Sequence, residues 1–149
     1  MKRYANAWLL ASLVLATPLA AQQQPQPQQP ARGSQVELLQ NYPNPFNPAT
    51  TIPFRLGEDL FRDGRRPVVS LRIYNVLAQL VAVPSLQASG QPLDNLELEC
   101  RDPQAGYCDF SAYWDGHYMG TTREAASGVY VYQLIVNGQR TSRRMIVMK

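Results

Sequence analysis

From residue 51 to residue 148 the apolar side chains recur at every second position rather than at helical spacing. Ile52, Phe54 and Leu56 line one face of a segment over 51–56. Val69, Leu71 and Ile73 line another, with Ser70, Arg72 and Tyr74 opposite. This alternation is the mark of half-buried strands. Pro53 cannot donate to a ladder, so the 51–56 segment is expected at a sheet edge. Residues 79–83 read as a short apolar strand. Residues 128–136 set Val129, Val131 and Ile135 against Tyr130, Tyr132 and Leu134; apolar on both faces, this strand is expected to be central. Asn137-Gly138 follows at once and supplies the positive backbone angles of a tight hairpin, which makes 139–148 its antiparallel partner. Residues 57–67 form a polar turn region. Short strands at this spacing predict an all-β fold, an antiparallel β-sandwich of about seven strands with Trp114 filling the space between the sheets. The alternative reading of Trp114 is a sugar-stacking platform.

A second pattern interrupts the first. Asn41-Tyr42-Pro43-Asn44-Pro45-Phe46-Asn47-Pro48 packs three prolines around two aromatics. Each proline removes a donor and drives the residue before it toward extended geometry, so the segment cannot be helical. Tyr42 and Phe46 are costly to leave in water. The expected object is a stiff, kinked lead-in that pins both rings onto the domain after it.

This segment resembles the start of the type A C-terminal sorting domain carried by cargo of the bacterial type IX secretion system. That domain is related to the Ig-like domain of the flagellar hook-capping protein. The resemblance continues through the strand ending Ile73-Tyr74-Asn75-Val76-Leu77, through Trp114-Asp115-Gly116, through Ser127-Gly128-Val129-Tyr130, and through Met145-Ile146-Val147-Met148-Lys149. Five blocks in the family's order make a specific match over 36–149. The resemblance implies an Ig-like sandwich, export to the periplasm, and recognition by an outer-membrane secretion translocon with its processing machinery. Met145, Val147 and Lys149 match the family's terminal signal. Ala78 departs from the pattern, standing where the family has glycine. A second departure is a cysteine-bearing insertion over about 87–112.

The N-terminus fits that destination. Lys2 and Arg3 precede an apolar run over 7–16, Thr17-Pro18 breaks it, and Ala20-Ala21 offers small residues for cleavage. Residues 1–21 therefore read as a signal peptide, with an uncleaved anchor as the alternative. Residues 22–35 form a Gln/Pro-rich linker with too little apolar area to offset its ordering entropy. A sorting domain of this family ordinarily follows a passenger; here the linker precedes the domain directly. The formal charge of +3 falls to about +1 without Lys2 and Arg3, which gives no argument for nucleic acid. Arg140, Arg143, Arg144 and Lys149 read as a solvated strand face, the alternative being an anion-binding patch.

Cys100 and Cys108 are the only cysteines. In an exported chain such a pair reads as a disulfide. The spacing is wrong for a redox pair, and the single histidine, His117, leaves two thiols without metal partners. Glu97, Glu99, Asp102 and Asp109 lack the spacing of a calcium loop. No nucleophile elbow or phosphate-cradling loop is present. A non-enzymatic role follows, with no cofactor, metal or small-molecule substrate. The expectation is a sorting and anchoring module, exported through the inner membrane and then placed at the cell surface or outside. The alternative is a stand-alone exported Ig-like binding or structural module.

Overall fold

The computed structural model describes residues 35–149. The expected signal peptide and the linker, save Gln35, lie outside them. The alternating segments form nine strands in two antiparallel sheets. They are β1 (Val36–Leu38), β2 (Thr50–Gly57), β3 (Val68–Tyr74), β4 (Leu80–Ala82), β5 (Ser85–Leu86), β6 (Leu96–Glu97), β7 (Tyr107–Trp114), β8 (Gly128–Val136) and β9 (Gln139–Val147). One sheet has the order β1-β2-β7-β5; the other runs β4-β3-β8-β9, with β6 added to β3. The count exceeds seven because β1, β4, β5 and β6 are only two or three residues long. The polar region after β2 holds a short 3-10 segment, Glu58–Gly64.

The inward positions match the alternation. Ile52, Phe54 and Leu56 face Val69, Leu71, Ile73, Tyr132 and Leu134 in one core, all fully buried. β8 is central, flanked by β3 and β9. Asn137 (φ 48°) and Gly138 (φ 86°) turn the chain into β9.

Pro53 is not at an edge. β2 lies between β1 and β7, and Pro53 sits opposite Ser111. Its ring nitrogen faces the β1 side, where the Leu39 N–H donates to the Pro53 C=O at 3.0 Å. The reciprocal bond of an antiparallel pair is missing because proline has no N–H. Tyr132 replaces it: the buried Oη donates to the Leu39 C=O at 2.8 Å and accepts the Asn41 N–H at 3.1 Å. Pairing then resumes at Tyr42 with Thr51, one residue out of step, so a β-bulge at Gln40-Asn41 accommodates the proline.

The segment over 87–112 is not peripheral. Its boundary at about 112 falls inside β7, which pairs with β2 along eight residues, and Leu93, Leu98 and Ala112 are buried. Cys100 and Cys108 form a disulfide with their Cα atoms 5.8 Å apart, tying the start of β7 to the preceding loop.

Candidate functional site

The five sequence blocks converge on one end of the sandwich. β2 and β8 start there; β3, β7 and β9 finish there. The Asn-Pro segment is the keystone. Asn41, 2% exposed, donates through Nδ2 to the Pro43 C=O (3.2 Å) and to Thr50 Oγ1 (3.0 Å). This shapes the reversal that carries Phe46 to the outer edge of β9. There the Phe46 N–H donates to the Ile146 C=O at 3.1 Å, and the Met148 N–H donates to the Phe46 C=O at 3.0 Å. Asn44 Oδ1 accepts the Ile146 N–H at 2.9 Å, and Gln40 Nε2 reaches the Arg144 C=O at 3.3 Å. The first block thus pairs with the backbone of the last, covering a strand edge that would otherwise be open.

An aromatic row joins the other blocks. The Phe46 ring meets Trp114 edge-on at 5.4 Å, and Trp114 meets Tyr130 at 5.8 Å. Trp114 is 3% exposed and its Nε1 donates to the His117 C=O at 2.9 Å, so it is a core residue and not a sugar platform. Asp115 Oδ1 accepts the His117 N–H at 2.9 Å and shapes the turn. Gly116 (φ 82°) lets this turn press against the Asn-Pro segment: a Cβ there would lie 2.1 Å from the Pro48 carbonyl oxygen. Gly128, by contrast, has open space where its Cβ would be. Ser127 Oγ accepts the Lys149 N–H at 3.0 Å, and Lys149 Nζ pairs with Glu124, whose carboxyl it holds below the usual carboxylate range. The Tyr130 hydroxyl donates to the Ala126 C=O at 3.0 Å, and burial raises its phenol.

Several placements differ from expectation. Tyr42 stays 60% exposed because its neighbour Asn41 takes the inward position. Of the terminal residues, Met145 and Val147 are core side chains, 0% and 3% exposed; the outward face is carried by Ile146 and Met148. The parity of an apolar run on both faces hid this. Val76 and Leu77, expected at the end of a strand, lie instead on the β3–β4 turn, 75% and 74% exposed, because β3 stops at Tyr74. Among the described residues, every exposed large apolar side chain except Val68 lies at or near this end: Tyr42, Val76, Leu77, Leu80, Tyr113, Met119, Val129, Ile146 and Met148. The opposite end holds the disulfide and exposed ion pairs, among them Arg62–Asp59 (2.7 Å), Arg66–Glu99 (2.5 Å) and Arg55–Asp109 (2.7 Å). Exposed apolar side chains are therefore concentrated at the motif end, beside the Lys149–Glu124 and His117–Asp115 pairs.

An open cleft of about 650 Å³ flanks the motif end, lined by Tyr113, Asp115, His117, Tyr118 and Met119 among others. His117 Nδ1 lies 3.4 Å from Asp115 Oδ2. Arg123 stacks on the Tyr118 ring at 4.6 Å. Among the described residues no group of three His, Cys, Asp or Glu side chains is placed to hold a metal.

No family model and no curated protein matches the chain. The structure is similar to that of Pseudomonas fluorescens alkylpurine DNA glycosylase AlkC bound to DNA containing an abasic site analog, at 18% identity and a TM-score of 0.46. The match covers 78% of this chain and 31% of that one, so this chain spans about a third of the glycosylase.

Proposed function

We propose that residues 36–149 form a non-catalytic sorting and anchoring domain for export across the outer membrane by a type IX system. The carrying observation is the physical union of the first and last sequence blocks. The Asn44–Phe46 segment bonds to Ile146 and Met148, so the terminal strand is paired along its outer edge. Around it lies a concentration of exposed apolar side chains, the kind of feature that marks a protein interaction site. The partners on this reading are an outer-membrane translocon and its processing machinery, with no nucleic acid and no small-molecule substrate. The route is through the inner membrane and periplasm to the cell surface or medium. The Cys100–Cys108 disulfide is compatible with that route.

The second reading is a stand-alone exported binding module, and the open cleft beside Tyr113 and His117 favours it. One experiment separates the two. A signal peptide, a fluorescent passenger and residues 36–149 are fused and expressed in a bacterium that possesses the type IX system. Passenger at the surface or in the medium is the expected result. A folded fusion held in the periplasm would overturn the sorting reading and direct attention to the cleft.

A further inference from the structure

The β3–β4 turn is built to hold two aliphatic side chains in water. Asn75 Oδ1 accepts the N–H groups of both Leu77 and Gln79 at 3.0 Å. The Ala78 N–H donates to the Asn75 C=O at 3.0 Å, and the Asn75 N–H donates to the Gln79 C=O at 3.1 Å. Asn75 Nδ2 closes the set on Gln79 Oε1 at 2.8 Å. Ala78 completes the turn with φ 58°, a conformation disfavoured for any residue with a Cβ. Five hydrogen bonds and a strained residue fix a turn whose apex, Val76-Leu77, is about three-quarters exposed. Neither side chain contributes to the core, so the fold itself does not require them to be apolar.

We infer that the Val76-Leu77 apex is an anchor that inserts into an uncharged apolar pocket of a protein partner. The inference rests on the sorting reading above and adds to it a contact separate from the terminal strand. Three observations select this occupant. The apex is convex and preorganised, which lowers the ordering cost of docking. Between Arg72 and Asp94 no residue carries a charge, so a complementary pocket is neutral. Segments that dock on lipid surfaces carry Lys or Arg beside their apolar residues, and this one carries none. The turn also belongs to the motif end: Tyr74, just before it, pairs with Val131, two residues from the Val129 that pairs with Ile146.

The test uses the same passenger fusion with the double substitution Val76→Ser/Leu77→Ser, a Leu77→Met variant, and a photo-crosslinking phenylalanine analogue at position 77. The expected result is a folded double variant, with an unchanged melting temperature, whose surface passenger falls at least tenfold. Leu77→Met retains export, and the analogue forms an adduct with an outer-membrane protein. Export of the double variant at the wild-type level overturns the anchor and leaves the sorting reading standing. Retention of the wild-type fusion overturns both. Flotation of the purified domain with phosphatidylcholine vesicles, lost in the double variant, would make the occupant a lipid surface and overturn the protein pocket. A wild-type dimer in light scattering that the double variant dissolves would make it a second copy and overturn it likewise.

Discussion

Replacing Tyr132 by phenylalanine isolates the bond pair that lets a proline sit inside a sheet. The ring is fully buried and stays, so packing is unchanged; only the hydroxyl is lost. Two backbone groups lose their partner. The Asn41 N–H is buried with its residue and finds no substitute. The Leu39 C=O belongs to a half-buried residue and can recruit water. An unsatisfied buried donor costs about 1–3 kcal/mol, and the partly wetted carbonyl adds less, for a total of about 2–3 kcal/mol. With an unfolding entropy of about 2.1 cal/mol/K per residue over the roughly 115 described residues, the melting temperature should fall by about 8–12 °C. Tyr130→Phe is the control. Its hydroxyl donates to the C=O of the exposed Ala126 and meets the half-buried Tyr118 side chain, partners that water can replace, so its loss should cost about 0.5–1 kcal/mol.

Two further readouts follow from the same bond. Amide hydrogen exchange at Asn41 should accelerate in Tyr132→Phe and not in Tyr130→Phe. The pH dependence has a definite sign. Burial raises the Tyr132 phenol, with the bond from Asn41 and the charge of Arg143 pulling the other way. The unfolded phenol ionises near pH 10, by the ordinary tyrosine value of about 10. The neutral phenol therefore contributes its full stability below that pH and loses it as pH rises through the higher folded value. The gap between wild type and Tyr132→Phe should narrow above pH 10. A Tyr132→Phe loss below about 0.5 kcal/mol, or equal to that of Tyr130→Phe, would refute the bulge argument.

Gly116→Ala forces a Cβ against the Pro48 carbonyl and should cost at least about 3 kcal/mol in urea denaturation. Gly120→Ala, at a similar φ of 70° but with open space around it, should cost only about 1 kcal/mol. Ala78→Gly relieves a φ of 58° in the turn and should stabilise by about 0.5–1 kcal/mol, read as a rise in melting temperature. Cys100→Ser/Cys108→Ser opens a nine-residue loop and should cost about 2.5 kcal/mol by loop-closure entropy, a difference that vanishes when the wild type is reduced.

Period-two alternation carried the sandwich in the sequence because β2, β3 and β8 turn alternate side chains into the core. It also placed β8 at the centre and the hairpin at Asn137-Gly138. What it could not carry was pairing across long separations. Pro53 reads as an edge residue by local chemistry, and only the tertiary arrival of the Tyr132 hydroxyl overrides that rule. Tyr42 reads as buried by hydrophobicity, yet a polar neighbour with four hydrogen-bonding partners of its own, Asn41, takes the inward position. The 87–112 segment looks foreign by its cysteines, while its last residues are those of a strand in the middle of a sheet. The candidate site was legible as separate blocks. Their union was not, because the bonds that join Asn44 and Phe46 to Ile146 and Met148 span about a hundred residues.

That union changes how the terminal block must be tested. Deleting residues 145–149 removes Met145 and Val147 from the core and Met148 from its bond to Phe46, so lost export would not separate unfolding from lost recognition. Substitutions that respect the strand's parity do separate them. Ile146→Ser/Met148→Ser alters only outward side chains, 42% and 57% exposed, and keeps every backbone bond to the Asn-Pro segment. Its stability should stay within about 0.5 kcal/mol of wild type per site. Met145→Ala empties a fully buried position and should cost about 2–5 kcal/mol. If the translocon reads the folded strand, the outward pair stops export at unchanged stability, while Met145→Ala exports in proportion to the fraction that remains folded. If the outward pair exports normally and Met145→Ala fails despite folding, the signal is read from an opened strand whose inward residues are accessible. The folded end would then be the resting form and not the recognised one.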